Sequence, residues 1–273
     1  NTGDTKISLD DIRVNQLVDY EMEAVTIPDG ADDYIIGMNV CSLWRNGEHT
    51  GWATITPYED IRPVLGYYDE GQPQTSDWEI KFLAEHGIDF QAFCWLGRES
   101  DKPIKQAWDI TALDNGFLHA KNKDKMKFCL IWEAANGATP VDRDAFRNYF
   151  VPYWMEYYFS NPSYMTIENK VVFAIFGADS LISKFGTGLK AEFDYLREEV
   201  KKLGFDGAII LDCNSYRTEG SASYGFDGWY AYNWGQQGCY YEANVTLNLK
   251  AKEDNDVYTI PTVSSGFNAI GWH

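Results

Sequence analysis

The chain alternates short, almost wholly apolar runs with longer stretches whose apolar residues recur at helical spacing. The first apolar run is Tyr34-Ile35-Ile36-Gly37-Met38-Asn39-Val40. Six more follow at 88–95, 127–132, 171–176, 207–211, 228–233 and 257–264. Runs this short, apolar on both faces and rich in β-branched and aromatic residues, predict buried parallel strands. Between them lie amphipathic periods. Over 76–86, Ile80, Leu83 and Ala84 share one face, and Gly87 sits where a left-handed C-cap is wanted. Ser76 with Glu79 three residues on reads as a capping box opening that helix. A further helix is expected over Lys105–Lys121. Asp142 is placed to cap another, whose apolar face is Phe146, Phe150, Trp154 and Tyr157 and which Pro152 should kink or split. A turn at Glu168-Asn169-Lys170 enters the fourth strand. The plainest stripe is Leu189, Phe193, Leu196, Val200 and Leu203, closed by Lys201, Lys202 and Gly204. A last helical stretch runs from Cys239 to Lys252.

Strand and helix alternate from residue 34 onward with no break in composition, which predicts an α/β protein with a parallel (β/α)8 TIM barrel over 34–273. A length of 273 residues suits it, since such barrels take about 250. Residues 1–33 are polar and acidic, with a turn at Pro28-Asp29-Gly30. They read as a lead-in or linker with a short helix near Leu9 to Leu17. The strand count is seven, one short of a closed barrel.

Charge narrows the function. The net charge is −18 and no run of Lys or Arg occurs, so nucleic-acid binding is excluded for want of a basic face. Aromatic residues make up 16% of the chain, with 10 Trp and 18 Tyr. They serve either as core or as platforms for the C–H faces of sugars, and composition leaves both open. No apolar stretch is long enough to span a bilayer. An acidic chain beginning at Asn is expected to have lost a signal or an upstream part and to work outside the cell or in the periplasm, with the cytoplasm as the alternative. Oligomeric state is not legible. The five cysteines show no CxxC or Cys/His spacing and read as small buried hydrophobes; His49, His86, His119 and His273 are scattered. No metal or other cofactor is expected, and there is neither a P-loop nor a GxSxG elbow with a credible triad.

Specific motifs add a family. The runs LGYYDEG (65–71), DWEIKFLAEHGIDF (77–90) and FCW (93–95) closely resemble the WbsX-like proteins. That group is similar to glycoside hydrolase family 99, the endo-acting α-mannosidases and α-mannanases. Further resemblance lies at 152–176 and 196–207, and more weakly at 261–272, so that it spans roughly 34 to 273. It implies a (β/α)8 barrel and retaining hydrolysis in which the sugar's own 2-hydroxyl is the nucleophile, assisted by carboxylates. It also implies a substrate-contacting Glu at the end of strand three, here Glu133. The family's eighth unit carries a Trp-Asn-Glu…Glu motif that this chain lacks. The chain is therefore expected to be a fragment, with a gap about one strand wide between its first and seventh strands that downstream residues fill.

In a TIM barrel the active site is built at the C-terminal ends of the strands. That rule selects Glu133 and Asp212 as catalytic candidates. Tyr68, Asp69 and Glu70 follow strand one within the family signature. Trp44, Trp95, Tyr232 and Trp234 could stack on sugar rings, while Asn39, Arg98, Asn136, Asn214 and Asn233 could bond to hydroxyls. Each carboxylate could equally be a loop or cap acceptor, and each ring a packing residue. The partner expected is an oligo- or polysaccharide. Three functions stay open: a hydrolase on α-mannose-like or bacterial polysaccharide glycans, a glycan-binding barrel without turnover, and a glycosyltransferase of polysaccharide assembly, which the sequence supports least.

Overall fold

A computed structural model describes residues 24–28, 34–45, 52–97, 110–135, 139–214, 220–234 and 240–264. The lead-in expected over 1–33 lies outside these except for 24–28, as do His49, Arg98, Asn136, Cys239 and His273. Each of the seven predicted runs contains a strand: β1 (Gly37–Val40), β2 (Phe90–Trp95), β3 (Lys127–Glu133), β5 (Lys170–Phe176), β6 (Ala208–Cys213), β7 (Gly228–Tyr230) and β8 (Tyr258–Thr259). All seven pair in parallel in the order β1-β2-β3-β5-β6-β7-β8. This is an α/β fold of (β/α)8 type, a curled half-barrel. An eighth, two-residue strand, β4 (Thr166–Ile167), was not expected; it pairs antiparallel with β5. The predicted turn explains it, because Glu168 and Asn169 both adopt positive φ (49° and 57°), as a tight two-residue hairpin requires.

The helices pack on the outer face. α1 (Pro73–Ala84) starts earlier than the capping box would set it, with Gln72 as N-cap and no side-chain cap. Ser76 is instead buried in the first turns against Gly116, where an added Cβ would lie 2.4 Å from the Glu70 carbonyl oxygen and 2.6 Å from Ser76 Oγ. Only glycine fits there. The end of α1 is as expected: Gly87 has φ +77°, and the Ile88 N–H donates to the Leu83 carbonyl at 3.0 Å. Of the helix predicted over 105–121, the described part is a π turn at Ala112–Gly116 followed by a 3₁₀ turn at Phe117–His119.

The helical run 143–159 (α2) begins at Asp142, whose Oδ1 accepts from the Ala145 N–H at 2.8 Å. Pro152 does not split it. Two π turns, Phe146–Phe150 and Met155–Phe159, flank Val151–Trp154, and their looser winding accommodates the ring. The wider turns also carry the fully buried stripe to Tyr158 and Phe159, leaving Tyr157 half-buried. α3 (Ala178–Phe185) precedes α4 (Leu189–Lys201), which buries Leu189, Phe193, Leu196 and Val200 as predicted. Leu203 lies past the helix end and is exposed. Glu192 of α4 is wholly buried, with Oε2 2.7 Å from Arg147 Nε and Oε1 3.3 Å from Arg143 Nε, which ties α4 to α2. α5 (Tyr241–Asp254) precedes β8.

The core lies between sheet and helices. Strand residues alternate between faces, and the register aligns Trp95, Trp132, Ile175, Asp212 and Trp229 across five strands on the helix side. Trp154 of α2 closes over this row, with ring centroids 5.4 Å from Trp95, 4.9 Å from Trp132 and 4.8 Å from Phe173. Two of the described cysteines, Cys129 and Cys213, are buried as expected; Cys94 is half-buried and Cys41 is exposed. Cys41 stands just past the end of β1.

Candidate active site at the C-terminal mouth of the barrel

The inner faces of the strands surround a cavity of about 670 Å³, whose walls include Phe90, Ala92, Cys129, Val172, Ala174 and Leu211. Its two sides are residues 34–39 and 260–264, the edges at β1 and β8. A closed barrel fills this space with side chains. Here the strand order is an open path, with no pairing of β1 to β8 among the described residues, and Ile35, Met38, Tyr258 and Val263 along the edges are exposed. Asn39 links β1 to the far side: its Nδ2 donates to the Tyr232 carbonyl at 3.1 Å, and its Oδ1 lies 3.4 Å from the Tyr230 hydroxyl.

At the C-terminal end the last lumen-facing row is Glu133, Phe176, Cys213 and Tyr230, aligned by the register of β3, β5, β6 and β7. Glu133 is half-buried, and its Oε1 accepts from the Ala135 N–H at 3.0 Å. Tyr232 stands beside this row with its ring 5.1 Å from Phe176 and its hydroxyl 3.6 Å from Cys94 Sγ. Burial pushes the Tyr232 and Tyr230 hydroxyls far above the ordinary tyrosine range, so both are neutral hydrogen-bonding groups. Asn233 is exposed and lines the cavity, and half-buried Asn214 follows β6. Asn39, Tyr232 and Asn233 thus share the cavity wall, while Glu133 stands in the row at its C-terminal end beside Phe176.

Three candidates do not join them. Trp95 is fully buried on the helix side, its Nε1–H donating to the Tyr158 hydroxyl at 3.1 Å, so it has no face to offer a sugar. Asp212 is one residue out of phase with the lumen row; it is also fully buried behind the sheet, with Oδ2 accepting from Ser221 Oγ at 3.0 Å. A common rim for Glu133 and Asp212 fails on strand parity alone. Trp234 packs toward the chain after β8, where its Nε1–H donates to the Thr262 carbonyl at 3.0 Å and its ring lies 5.9 Å from Trp229.

The loop after β1 forms a second group. Trp44 stacks on Trp52 with centroids 4.4 Å apart, and Tyr68 meets the edge of the same Trp52 ring. Asp69 is held by the Gly71 N–H at 2.8 Å and by Arg45 Nε at 3.3 Å, a turn and loop role. Glu70 is a buried latch: its N–H donates to the Trp44 carbonyl at 3.2 Å, and its Oε1 accepts from the Trp44 N–H at 2.9 Å. Nearby Glu79, passed over by a reading that made it a cap partner, is half-buried and hydrogen-bonded to Gln91. Its place beside Trp78 and Ile80 was the available signal. Burial pushes Glu70 up to about 8 and Glu79 up to about 7, and burial together with both carboxylates raises Tyr68.

A pH dependence follows. Both carboxyls bind protons more tightly folded than unfolded, where a glutamate titrates near 4.3. The folded state is thus favoured at low pH and loses this advantage as pH rises toward 7 and 8. Thermal unfolding from pH 5 to 8 should show a falling Tm. Glu70→Gln, which retains an acceptor for the Trp44 N–H, should flatten that fall; an unchanged slope would show that Glu70 does not titrate there.

Among the described residues no group of three or more His, Cys, Asp or Glu is placed to hold a metal ion, and no helix is long and apolar enough to cross a membrane. No protein-family model and no curated protein matches the sequence. Solved structures do match the fold. A structure of the GH99 endo-alpha-mannosidase from Bacteroides thetaiotaomicron covers 74% of this chain at 18% identity and a TM-score of 0.49, and the chain spans 56% of its length. A second structure of that enzyme, in complex with BIS-TRIS-propane, matches over 87% of this chain and 70% of its own, at 18% identity and a TM-score of 0.55. A glycoside hydrolase-like protein matches over 92% and 76%, at 18% identity and 0.57. In fold, the chain is therefore similar to the GH99 endo-alpha-mannosidase in its BIS-TRIS-propane complex and to a glycoside hydrolase-like protein, as a parallel α/β barrel.

Proposed function

We propose that the barrel unit, taken as 34–273, is a glycoside hydrolase acting with retention on α-mannose-like or bacterial polysaccharide glycans, with Glu133 touching the sugar. The observation that carries this is the lumen-facing Glu133 carboxylate at the mouth, in one row with Phe176 and Tyr230 and beside Tyr232. Ring faces take the C–H faces of a sugar, the Asn39 and Asn233 amides suit its hydroxyls, and a carboxylate can accept from a hydroxyl or stabilise positive charge developing at the anomeric carbon. Fold likeness to glycoside hydrolases agrees with this reading.

A second reading, a barrel that binds glycan without turnover, is favoured by one feature. Among the described residues the mouth row holds one carboxylate, whereas cleavage generally uses two across the scissile bond. Digestion of α-mannan and a panel of bacterial polysaccharides separates the two. Release of reducing ends, with the α-anomer formed first by NMR, is the expected result. Binding without release would favour the second reading, and consumption of a sugar nucleotide would point to a transferase.

A further inference from the structure

Two cysteines take no part in that chemistry, and they are neighbours. β1 and β2 run parallel with Val40 beside Phe93, so the next residues, Cys41 and Cys94, stand side by side. Both share the parity of Asn39 and Ala92, which line the lumen. Their thiols hydrogen-bond to one another. Neighbouring strands lie about 4.8 Å apart, inside the roughly 4.4–6.8 Å over which a disulfide joins two Cα atoms. The pair is asymmetric: Cys41 is exposed, while Cys94 is half-buried with its sulfur 3.6 Å from the Tyr232 hydroxyl.

We propose that Cys41 and Cys94 form a redox-active dithiol at the mouth of the barrel, which a low-molecular-weight disulfide such as oxidised glutathione closes to a protein disulfide. Exposure makes Cys41 the attacking group. Its thiol loses a proton, the thiolate forms an S–S bond to one glutathione sulfur, and the other glutathione leaves as thiolate and takes up a proton. Cys94 then loses its proton, attacks Cys41 Sγ, and expels the second glutathione in the same way. Two protein thiols are oxidised and one glutathione disulfide is reduced to two thiols. The hydrogen bond with Cys41, followed by burial, holds the Cys94 thiol well above its ordinary range, which keeps it protonated and leaves the first attack to Cys41.

The bond has a structural consequence. Among the described residues β1 is an edge strand, joined to the sheet by its four-residue pairing with β2. A disulfide from 41 to 94 would rivet that edge and close a long loop, which limits the unfolded chain more than the folded one. Cys129 and Cys213 are buried and inaccessible to the reagent.

The test treats the full chain with oxidised glutathione, alkylates the remaining thiols in denaturant, and maps peptides by mass spectrometry. A Cys41–Cys94 cross-linked peptide should appear, two hydrogens lighter than its parts and reversed by dithiothreitol, with Tm raised by several degrees in the oxidised form. Cys94→Ser should stop at a glutathione adduct on Cys41, and Cys41→Ser should give no adduct on Cys94. Wild-type protein that stays fully alkylated, that retains the Cys41 adduct unresolved, or that pairs either residue with Cys239 would overturn the proposal.

Discussion

Replacing Trp95 with alanine is expected to destabilise the fold by about 3–5 kcal/mol, the usual range for truncating a fully buried aromatic side chain. Trp95 has no exposed surface and meets Trp154 and Phe150 edge-on at 5.4 and 6.2 Å. Its Nε1–H also donates to the Tyr158 hydroxyl, which in turn donates to Asp114 Oδ1 at 3.0 Å. The substitution leaves a void in a close-packed aromatic layer and takes a donor from a buried hydroxyl, two penalties of the same sign. Whole domains are stable by only about 5–15 kcal/mol, so the loss should be plain in a urea titration. Unchanged stability with weakened glycan binding would instead place Trp95 at a sugar site.

Glu133→Gln is expected to do the reverse. The glutamine Oε1 can keep the bond from the Ala135 N–H, so the end of β3 is preserved. A half-buried side chain at a mouth contributes little to core packing, and stability should change by no more than about 0.5 kcal/mol. Loss of the carboxylate's charge and basicity should lower kcat/KM on the glycan identified by digestion by about 10²-fold or more. Steady-state kinetics per folded molecule, beside a melting curve, check both halves. A large drop in Tm with unchanged specific activity would mark Glu133 as a structural loop acceptor.

These predictions turn on a distinction of one residue. Glu133 and Asp212 both follow apolar runs, and the strand-end rule treats them alike. Yet Glu133 aligns with Phe176 and Asp212 with Ile175, so the two side chains leave the sheet on opposite faces. Side chains in a strand alternate with a period of two, so an uncertainty of one residue in a strand's phase exchanges lumen for core. Apolar runs hydrophobic on both faces, such as Val171–Phe176, carry no alternation that would settle the phase. Trp95 was misplaced for this reason: an aromatic residue suits either face. Trp234 differs, since its surroundings come from residues 262–264, a contact distant in sequence.

Local signals sufficed for much else. Seven strands, the Asp142 cap, the Gly87 C-cap and the Leu189–Val200 stripe were legible because each depends on residues within one or two turns of itself. The start of α1 was not, because Ser76 is held by its fit against Gly116, forty residues on, rather than by the first-turn amides of its own helix. The sequence by itself thus determined the class of fold and the order of its elements, both set by periodicity. Only the tertiary structure decided which carboxylate faces the lumen, which glutamates are buried and proton-retaining, and which thiols are neighbours. Those properties belong to strand register and desolvation, which arise from contacts between residues far apart in the chain.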